Sequence, residues 1–400
     1  MPATLTSISS YLKEVYQGRI REQLNSDTKT LKRIMRSSAG VTNEVGGKYV
    51  TFPVHTRRNS GIGSRNEMEP LPIPGQQGNA AARVGLKYGY GGVQLTGQAI
   101  SLSDTDAKAF AKAIDQEMDG LKTDLQKDMN RQVYGDGSGA IGTVSTAAAG
   151  TNSVVVSDAR LFQIGALVDL VTLPSTVVAA ARNITAINLA TNTITLSGAA
   201  FTTVVGQIVV RNGSLGREIT GLAAIVNNAG TLYNIDPTVE PEWTATVDAN
   251  GGTPRALSEG RMITMADNIR ARGGKTTVIF QSLGVRRAYF NLLSQQRQVV
   301  NEQKFTGGFT GLAFTTDDGE IPAVADVDAP LGTQYFINED ALTFYRDEEW
   351  HWLDRDGSMW KQVVDASGRY DAYVAHLIEY HELGTDRRNT HGVIKDLIEG

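Results

Sequence analysis

Residues 82–107 read ARVGLKYGYGGVQLTGQAISLSDTDA, an extended run that hands over to a long helix. Positions 83–95 have the composition and spacing of a strand. Ser103 stands where an N-cap belongs, and Asp104 and Asp106 fall in the first turn, where the helix dipole favours acids. Phe110, Ile114, Met118, Leu121, Leu125, Met129 and Val133 then recur at three- or four-residue intervals and form one apolar stripe. Gly135 stops it. Over 103–134 the helix measures roughly 45 Å. Its plain reading is a core helix, and its length also suits the backbone of an elongated subunit.

Upstream, residues 48–56, KYVTFPVHT, alternate like a strand, and Pro53 restricts it to an edge. The connection between the two strands, RRNSGIGSRNEMEPLPIPGQQGNAA, spans about 25 residues with three prolines and few apolar anchors. Two strands joined by such a connection make a long projecting hairpin, which alone is barely stable and must rest on something else. Earlier still, Leu12, Val15, Tyr16, Ile20, Leu24, Leu31 and Ile34 give residues 11–35 the pattern of an amphipathic helix, broken at Asn25, Ser26 and Asp27.

Downstream, residues 143–212 are nearly free of acids and rich in Val, Ile, Thr and Ala. SVVV, ALVDLV, NITAI, NTITLSG and GQIVV read as short strands of a small β-barrel or sandwich, or as part of the main sheet. Helices are expected at 218–228, 258–272 and 282–300. Strands are expected at 275–280, 321–326, 334–337, 342–345, 351–353, 361–364 and 369–381, with a polar tail from 384. The class is α+β.

The 400-residue chain contains no cysteine, which excludes disulfides, thiolate-bound zinc and thiol catalysis. No apolar run reaches the length of a membrane span, and residues 1–10 lack the pattern of a signal peptide. Its net charge of -5 hides an asymmetry. The first 90 residues hold thirteen Lys and Arg against six acids, a charge of +7, which leaves -12 on the remainder. A basic segment on an acidic body suits an arm that lies across acidic surfaces, its own or a neighbour's.

Enzymatic motifs fail on context. GSGAIG at 137–142 follows a helix and precedes strands, the reverse of a dinucleotide site. GGKTT at 273–277 has the GK[ST] core of a phosphate loop, but Ile269 stands where its first glycine belongs, and a strand follows. DRDG at 354–357 lacks the remaining ligands of a calcium loop. His376 and His381, five apart on a strand, face opposite ways and make no metal pair. No catalytic residue, cofactor site or metal site is expected, and the chain is read as a non-enzyme.

The order of parts resembles the major capsid proteins of tailed bacteriophages, the Hong Kong 97 (HK97) fold. The resemblance is carried by YLKEVYQGRIREQLNSDTKTLKRI, by KYVTFPV with the run at 82–107, and later by FTGLAF, GEIPAVADVDAP and TQYFINEDALTFY. It implies an N-terminal arm (1–46), an extended loop, or E-loop (47–97), and a spine helix with part of a peripheral domain (98–142). An inserted β-rich module (143–212), an axial domain (213–329) and returning strands with a tail (330–400) would follow. It further implies self-assembly as hexamers and pentamers into an icosahedral shell around double-stranded DNA in the virion, built in the bacterial host cytoplasm. Implied partners are other copies, a portal protein, a separate scaffolding protein, a decoration protein and nonspecific contact with packaged DNA, with no membrane.

On this resemblance, Leu12, Tyr16, Arg19, Arg21, Lys32, Arg33, Arg57, Arg58 and Arg65 are the expected inter-subunit contacts. Phe110, Ile114, Met118, Leu121, Leu125 and Met129 are the expected spine-helix packing. Some family members join a loop lysine to a neighbour. Here the loop lysines, Lys48 and Lys87, lie near its base, and no cross-link is expected. The alternatives are an encapsulin-type compartment, a nucleotide-binding enzyme resting on GGKTT, and a tail-tube or decoration protein.

Overall fold

The computed structural model describes residues 27–36, 41–42, 49–98, 107–297, 312–316, 319–354, 357–365 and 368–400. The fold is mixed, mostly strands with few helices. In chain order it begins with helix α1 (Lys29–Arg36), strand β1 (Val41–Thr42) and the hairpin β2 (Val50–Arg57) and β3 (Gly78–Val84). Strand β4 (Lys87–Thr96) and helix α2 (Ala107–Val133) follow.

The run at 83–95 is two strands, not one. It breaks at Gly85 and Leu86: β3 pairs with β2, and β4 leaves to join a different sheet. The hairpin partner of 48–56 is therefore 78–84. The glycines of β4 explain what the second strand is for. A Cβ on Gly91 would lie 2.6 Å from Leu125 Cδ1 and 3.0 Å from Leu121 Cδ1, so α2 crosses β4 where that strand has no side chain.

Among the described side chains of helix α2, full burial comes toward the C-terminal end. Met129 and Val133 are fully enclosed, whereas Met118, Leu121 and Leu125 are half-buried. Ser103 and the side chains of Phe110 and Ile114 lie outside the described residues.

Next comes a closed six-stranded barrel. Its strands are β5 (Ala140–Thr146), β7 (Ser153–Val156), β8 (Leu167–Thr172), β9 (Thr176–Asn188), β10 (Thr193–Leu196) and β12 (Ile208–Arg211). The short pair β6 (Ala148–Thr151) and β11 (Phe201–Thr203) accompanies it. Inward-facing Val144, Val154, Val156, Val168, Leu170, Ile184, Ile194 and Val209 form a core of its own.

The expected helix at 218–228 is a single turn, α3 (Leu222–Ile225). Ile219, Leu222, Ile225 and Val226 are all fully buried, so this apolar run plugs the main core instead of lying on it as an amphipathic helix.

The second half builds a six-stranded mixed sheet from β13 (Thr246–Asp248), β14 (Val278–Gln281), β15 (Leu312–Thr316), β16 (Gly319–Ala325) and β17 (Gln334–Ile337), plus a late strand described below. Helices α4 (Glu259–Ala271), with Ser258 as its N-cap, and α5 (Leu283–Arg297) cover one face. The alternation of β14 divides the layers. Ile279 packs with Met262, Met265 and Ile269, while Val278 and Phe280 pack with Val133, Leu222 and Trp243.

Strands β18 (Leu342–Arg346), β19 (His351–Trp352), β20 (Lys361–Asp365) and β21 (Gly368–Thr385) complete the other sheet. At about 3.4 Å per residue, β21 runs on the order of 60 Å, and it pairs with β4 along one edge and with β18, β19 and β20 along the other.

The tail from 384 is not a polar appendage. Strand β22 (Gly392–Ile394) lies inside the mixed sheet, parallel to β13 and antiparallel to β17. Arg388 and His391 are fully buried beside it. Arg388 reaches the carbonyls of Ala224, Ile225, Ala229, Gly230 and Trp243, all at 3.1–3.3 Å, and so ties the tail to the α3 region.

Candidate assembly surfaces

The hairpin is anchored at its base. Phe52, Val54 and Ala80 pack against the main core, Ala82 is fully buried, and the Arg83 amide donates to Tyr233 O at 2.9 Å. Arg57 ends the strand with a two-pronged contact to Glu240, at 2.6 and 3.1 Å. Residues 58–77 then form the tip. Asn66 and Glu69 close a local turn, and Arg65 donates to the carbonyls of Pro70 and Ser64.

Four large apolar side chains of this tip face water: Ile62 at 85 %, Met68 at 99 %, Leu71 at 84 % and Ile73 at 87 % exposure. Several such side chains on one short segment make an exposed apolar patch of the kind found at interaction sites. In the sequence the signal lies in the LPIP run and Ile62, set among the charges of Arg57, Arg58, Arg65, Glu67 and Glu69.

Of the expected inter-subunit residues, Leu12, Tyr16, Arg19 and Arg21 lie outside the described residues. Lys32 and Arg58 are exposed. Arg33, Arg57 and Arg65 each engage their own chain, Arg33 by two contacts to Glu339 at 2.7 and 3.1 Å. The +7 segment thus finds part of its acidic complement, Glu240 and Glu339, within the same subunit.

Helix α1 is fastened to the body by a buried polar hub. Asp326 accepts the Thr30 amide at 3.1 Å, the Thr30 hydroxyl at 2.7 Å, the Asn130 side-chain amide at 3.2 Å and the Asp328 amide at 3.0 Å. Asn130 in turn accepts the Leu31 amide at 3.0 Å, and Lys127 meets Asp328 at 2.6 Å. Burial lifts the Asp328 carboxyl above its ordinary range, against the pull of Lys127 and Asn130. The spacing of Lys127 and Asn130 on one helix face was legible; that Asp326 and Asp328 would meet them was not.

A cleft of about 650 Å³ lies where β4, α2 and β21 meet the segment 213–218 that leaves the barrel. Its walls include Lys87, Tyr88 and Tyr90 of β4, Asp128 of α2, Arg211 and His381. Burial alone would raise the Asp128 carboxyl, but Arg131 and Arg211 outweigh it and hold Asp128 well below the carboxylate range. On β21, burial pushes Glu379 up to about 7 and Glu382 up to about 8, and pushes His381 down to about 4. His376 is exposed and His381 buried, the opposite faces expected of them. Lys275 of GGKTT is exposed in the turn between α4 and β14. Among the described residues no cluster of His, Asp and Glu could hold a metal ion.

A projecting apolar tip and a long-strand sheet are features of a subunit that other copies complete, and the family comparison decides which kind. The model of the SU10 major capsid protein matches residues 75–397. The chain belongs to the SU10 major capsid protein family. It is a structural protein of the bacteriophage capsid and is located in the virion. Solved capsids share its fold. A chain of the cyanophage A-1(L) capsid asymmetric unit superposes with a TM-score of 0.65 at 15 % identity, covering 99 % of both chains. The capsid of an empty GTA particle gives 0.52 at 9 % identity over 99 % of both. A chain from Mycobacterium phage Bobi gives 0.50 at 11 % over the full length of both. At these identities the likeness is one of fold. No curated protein matches the sequence. The capsid family leaves the compartment and nucleotide-enzyme readings without support, and the GGKTT turn belongs to a shell protein.

Proposed function

We propose that this major capsid protein tiles an icosahedral shell as hexamers and pentamers around packaged double-stranded DNA, and that the β2–β3 hairpin is the E-loop that binds an adjacent copy. On this reading the long helix α2 is the spine of the HK97 arrangement. The β21 sheet is the peripheral domain, the mixed sheet under α4 and α5 is the axial domain, and the barrel is an insertion. Residues 1–46 are an arm that straps a neighbour, with Leu12, Tyr16, Arg19, Arg21 and Lys32 among its contacts. A portal protein, a separate scaffolding protein and a decoration protein complete the assembly, and contact with DNA is nonspecific.

The observation that supports this reading best is the exposed tip. Burying an aliphatic side chain of this size is worth about 1.5–3 kcal/mol, so Ile62, Leu71 and Ile73 together represent about 5–9 kcal/mol of association that the isolated subunit forgoes. Arg58, exposed at the root of the tip, adds a salt-dependent contact to the neighbour's acidic body.

The test is the triple variant Ile62→Ser, Leu71→Ser and Ile73→Ser, followed by sedimentation and negative-stain microscopy. Soluble, folded subunits that fail to form closed shells are the expected result. Shells formed at wild-type yield and protein concentration would remove the hairpin from the assembly contact.

A further inference from the structure

We infer that the barrel is a hinged module, swinging on a two-strand stalk and latched to the body by the Asp128–Arg211 ion pair. Three observations meet here. First, the barrel and the body share no core. Barrel residues pack among themselves, and the small cluster of Val171, Ile208 and Val210 reaches only as far as Leu215 of the stalk. Among the described residues, no apolar cluster joins barrel to body.

Second, the two connections lie side by side and are built to turn. Inbound, Gly135 is fixed to the body, since its carbonyl accepts the Ala223 amide at 3.2 Å. Outbound, Asp169 holds Asn212 and Gly213 to the barrel, while Arg131 holds Glu218 to α2 at 2.6 Å. Between these fixed points remain residues 136–139 and 214–217. Gly137, Gly139 and Gly216 all take positive φ, a region open to a residue without Cβ, so backbone changes at these three positions meet no Cβ barrier. The backbone bond from the Gly216 amide to Ser138 O, 2.8 Å, keeps the two strands together as one stalk.

Third, a cleft lies beside the stalk, with Ser214, Gly216 and Arg217 on one side and β4 and α2 on the other, and an ion pair crosses at its edge. Arg211, the last residue of the barrel, crosses to Asp128 of α2 at 2.8 Å, and Lys87 of β4 touches the stalk at Gly216 O, 3.1 Å. Asp128 is also held by Arg131 at 3.0 Å, so its carboxylate stands ready on the body whether or not Arg211 is docked. Hinges of this kind concentrate large backbone rotations in a few loop residues while both bodies stay rigid. A shell subunit gains from it a projecting module that can adjust to unequal surroundings.

The absence of cysteine makes the test direct. Spin labels on Ser175→Cys, in the turn between β8 and β9, and Lys122→Cys, on α2, report the barrel-to-body distance in the full chain diluted with unlabelled chain. The wild-type pair gives one narrow distribution at low salt. Arg211→Ala raises the population at altered distances about two- to fivefold, the loss of one half-exposed ion pair, and about 1 M salt does the same to the unsubstituted latch. Lys275→Ala, an exposed cation outside stalk and latch, leaves the distribution unchanged. A distribution that stays narrow and unshifted in both Arg211→Ala and high salt would overturn the latch. So would an equal opening in Lys275→Ala, or a wild-type distribution already broad at low salt. If Arg211→Ala does not fold, the salt titration alone decides.

Discussion

Replacing Glu379 by glutamine should remove a defined part of the subunit's response to pH. Glu379 is 1 % exposed on β21, opposite Gly89 of β4, with its Oε2 3.4 Å from Nδ1 of the equally enclosed His381. Burial pushes its carboxyl up to about 7, Arg346 pulls it back, and Glu349 pushes it further. An unfolded glutamate ionises near 4.5. The folded chain therefore holds a proton that the unfolded chain has released between those two values. The favourable contribution is complete below about 4.5 and is lost as pH rises through about 7, a total of about 3 kcal/mol. The amide of Glu379→Gln keeps the shape and cannot ionise, so its stability should not fall on that account. Urea unfolding of dilute, unassembled subunits at pH 5 and pH 8.5 reads the effect. Wild-type stability should drop by about 3 kcal/mol more than that of the variant. Glu382 and His381 titrate in both proteins and cancel to first order in the difference. Parallel pH profiles for the two chains would refute the buried, protonated carboxyl.

Three further outcomes are expected. Asp326→Ala strips the acceptor from Thr30, Asn130 and the Asp328 amide; it should cost about 3–5 kcal/mol and speed hydrogen exchange at Leu31 and Lys32, and a loss under 1 kcal/mol would show that α1 is held by other means. Arg388→Met takes the donor from five carbonyls, those of Ile225 and Trp243 in buried contacts, and should cost about 2–4 kcal/mol in thermal or urea melts, with Arg388→Lys recovering part of it. Gly91→Ala drives a methyl into Leu125 and should destabilise by about 1–3 kcal/mol; combining it with Leu125→Ala should cost less than the sum of the two, and strict additivity would place α2 away from β4.

The elements that could be read from sequence were those whose signals are local. The helix at 258–272, the apolar stripe of α2 and the short Val-rich strands of the barrel all depend on neighbours a few positions away. What could not be read was partnership. Nothing in RVGLKYGYGGVQL says that Val84 pairs with Val50 while Tyr88 pairs with Tyr380, since both halves carry a strand's composition and only Gly85 and Leu86 divide them. The helix expected at 218–228 failed because a fully buried apolar run has no polar face to set its period. The tail misled for a similar reason. Arg388, Thr390 and His391 look like a solvated segment, and only carbonyls more than 140 positions upstream make burial of Arg388 tolerable. At the proposed assembly surface, charge points to the arginines, whose intrachain partners Glu240 and Glu339 lie far along the chain, whereas the exposed apolar side chains of the tip stand together in one short run.

The position of β22 also orders events in time. The strand fills a gap between β13 and β17, and every residue of those two neighbours leaves the ribosome before it. Until 392–394 arrive, the mixed sheet has two unpaired edges in its interior, and the carbonyls around α3 lack Arg388. A chain that stops before residue 392 therefore keeps two open strand edges, and unpaired edges of that kind are what draw incomplete chains into aggregates instead of shells.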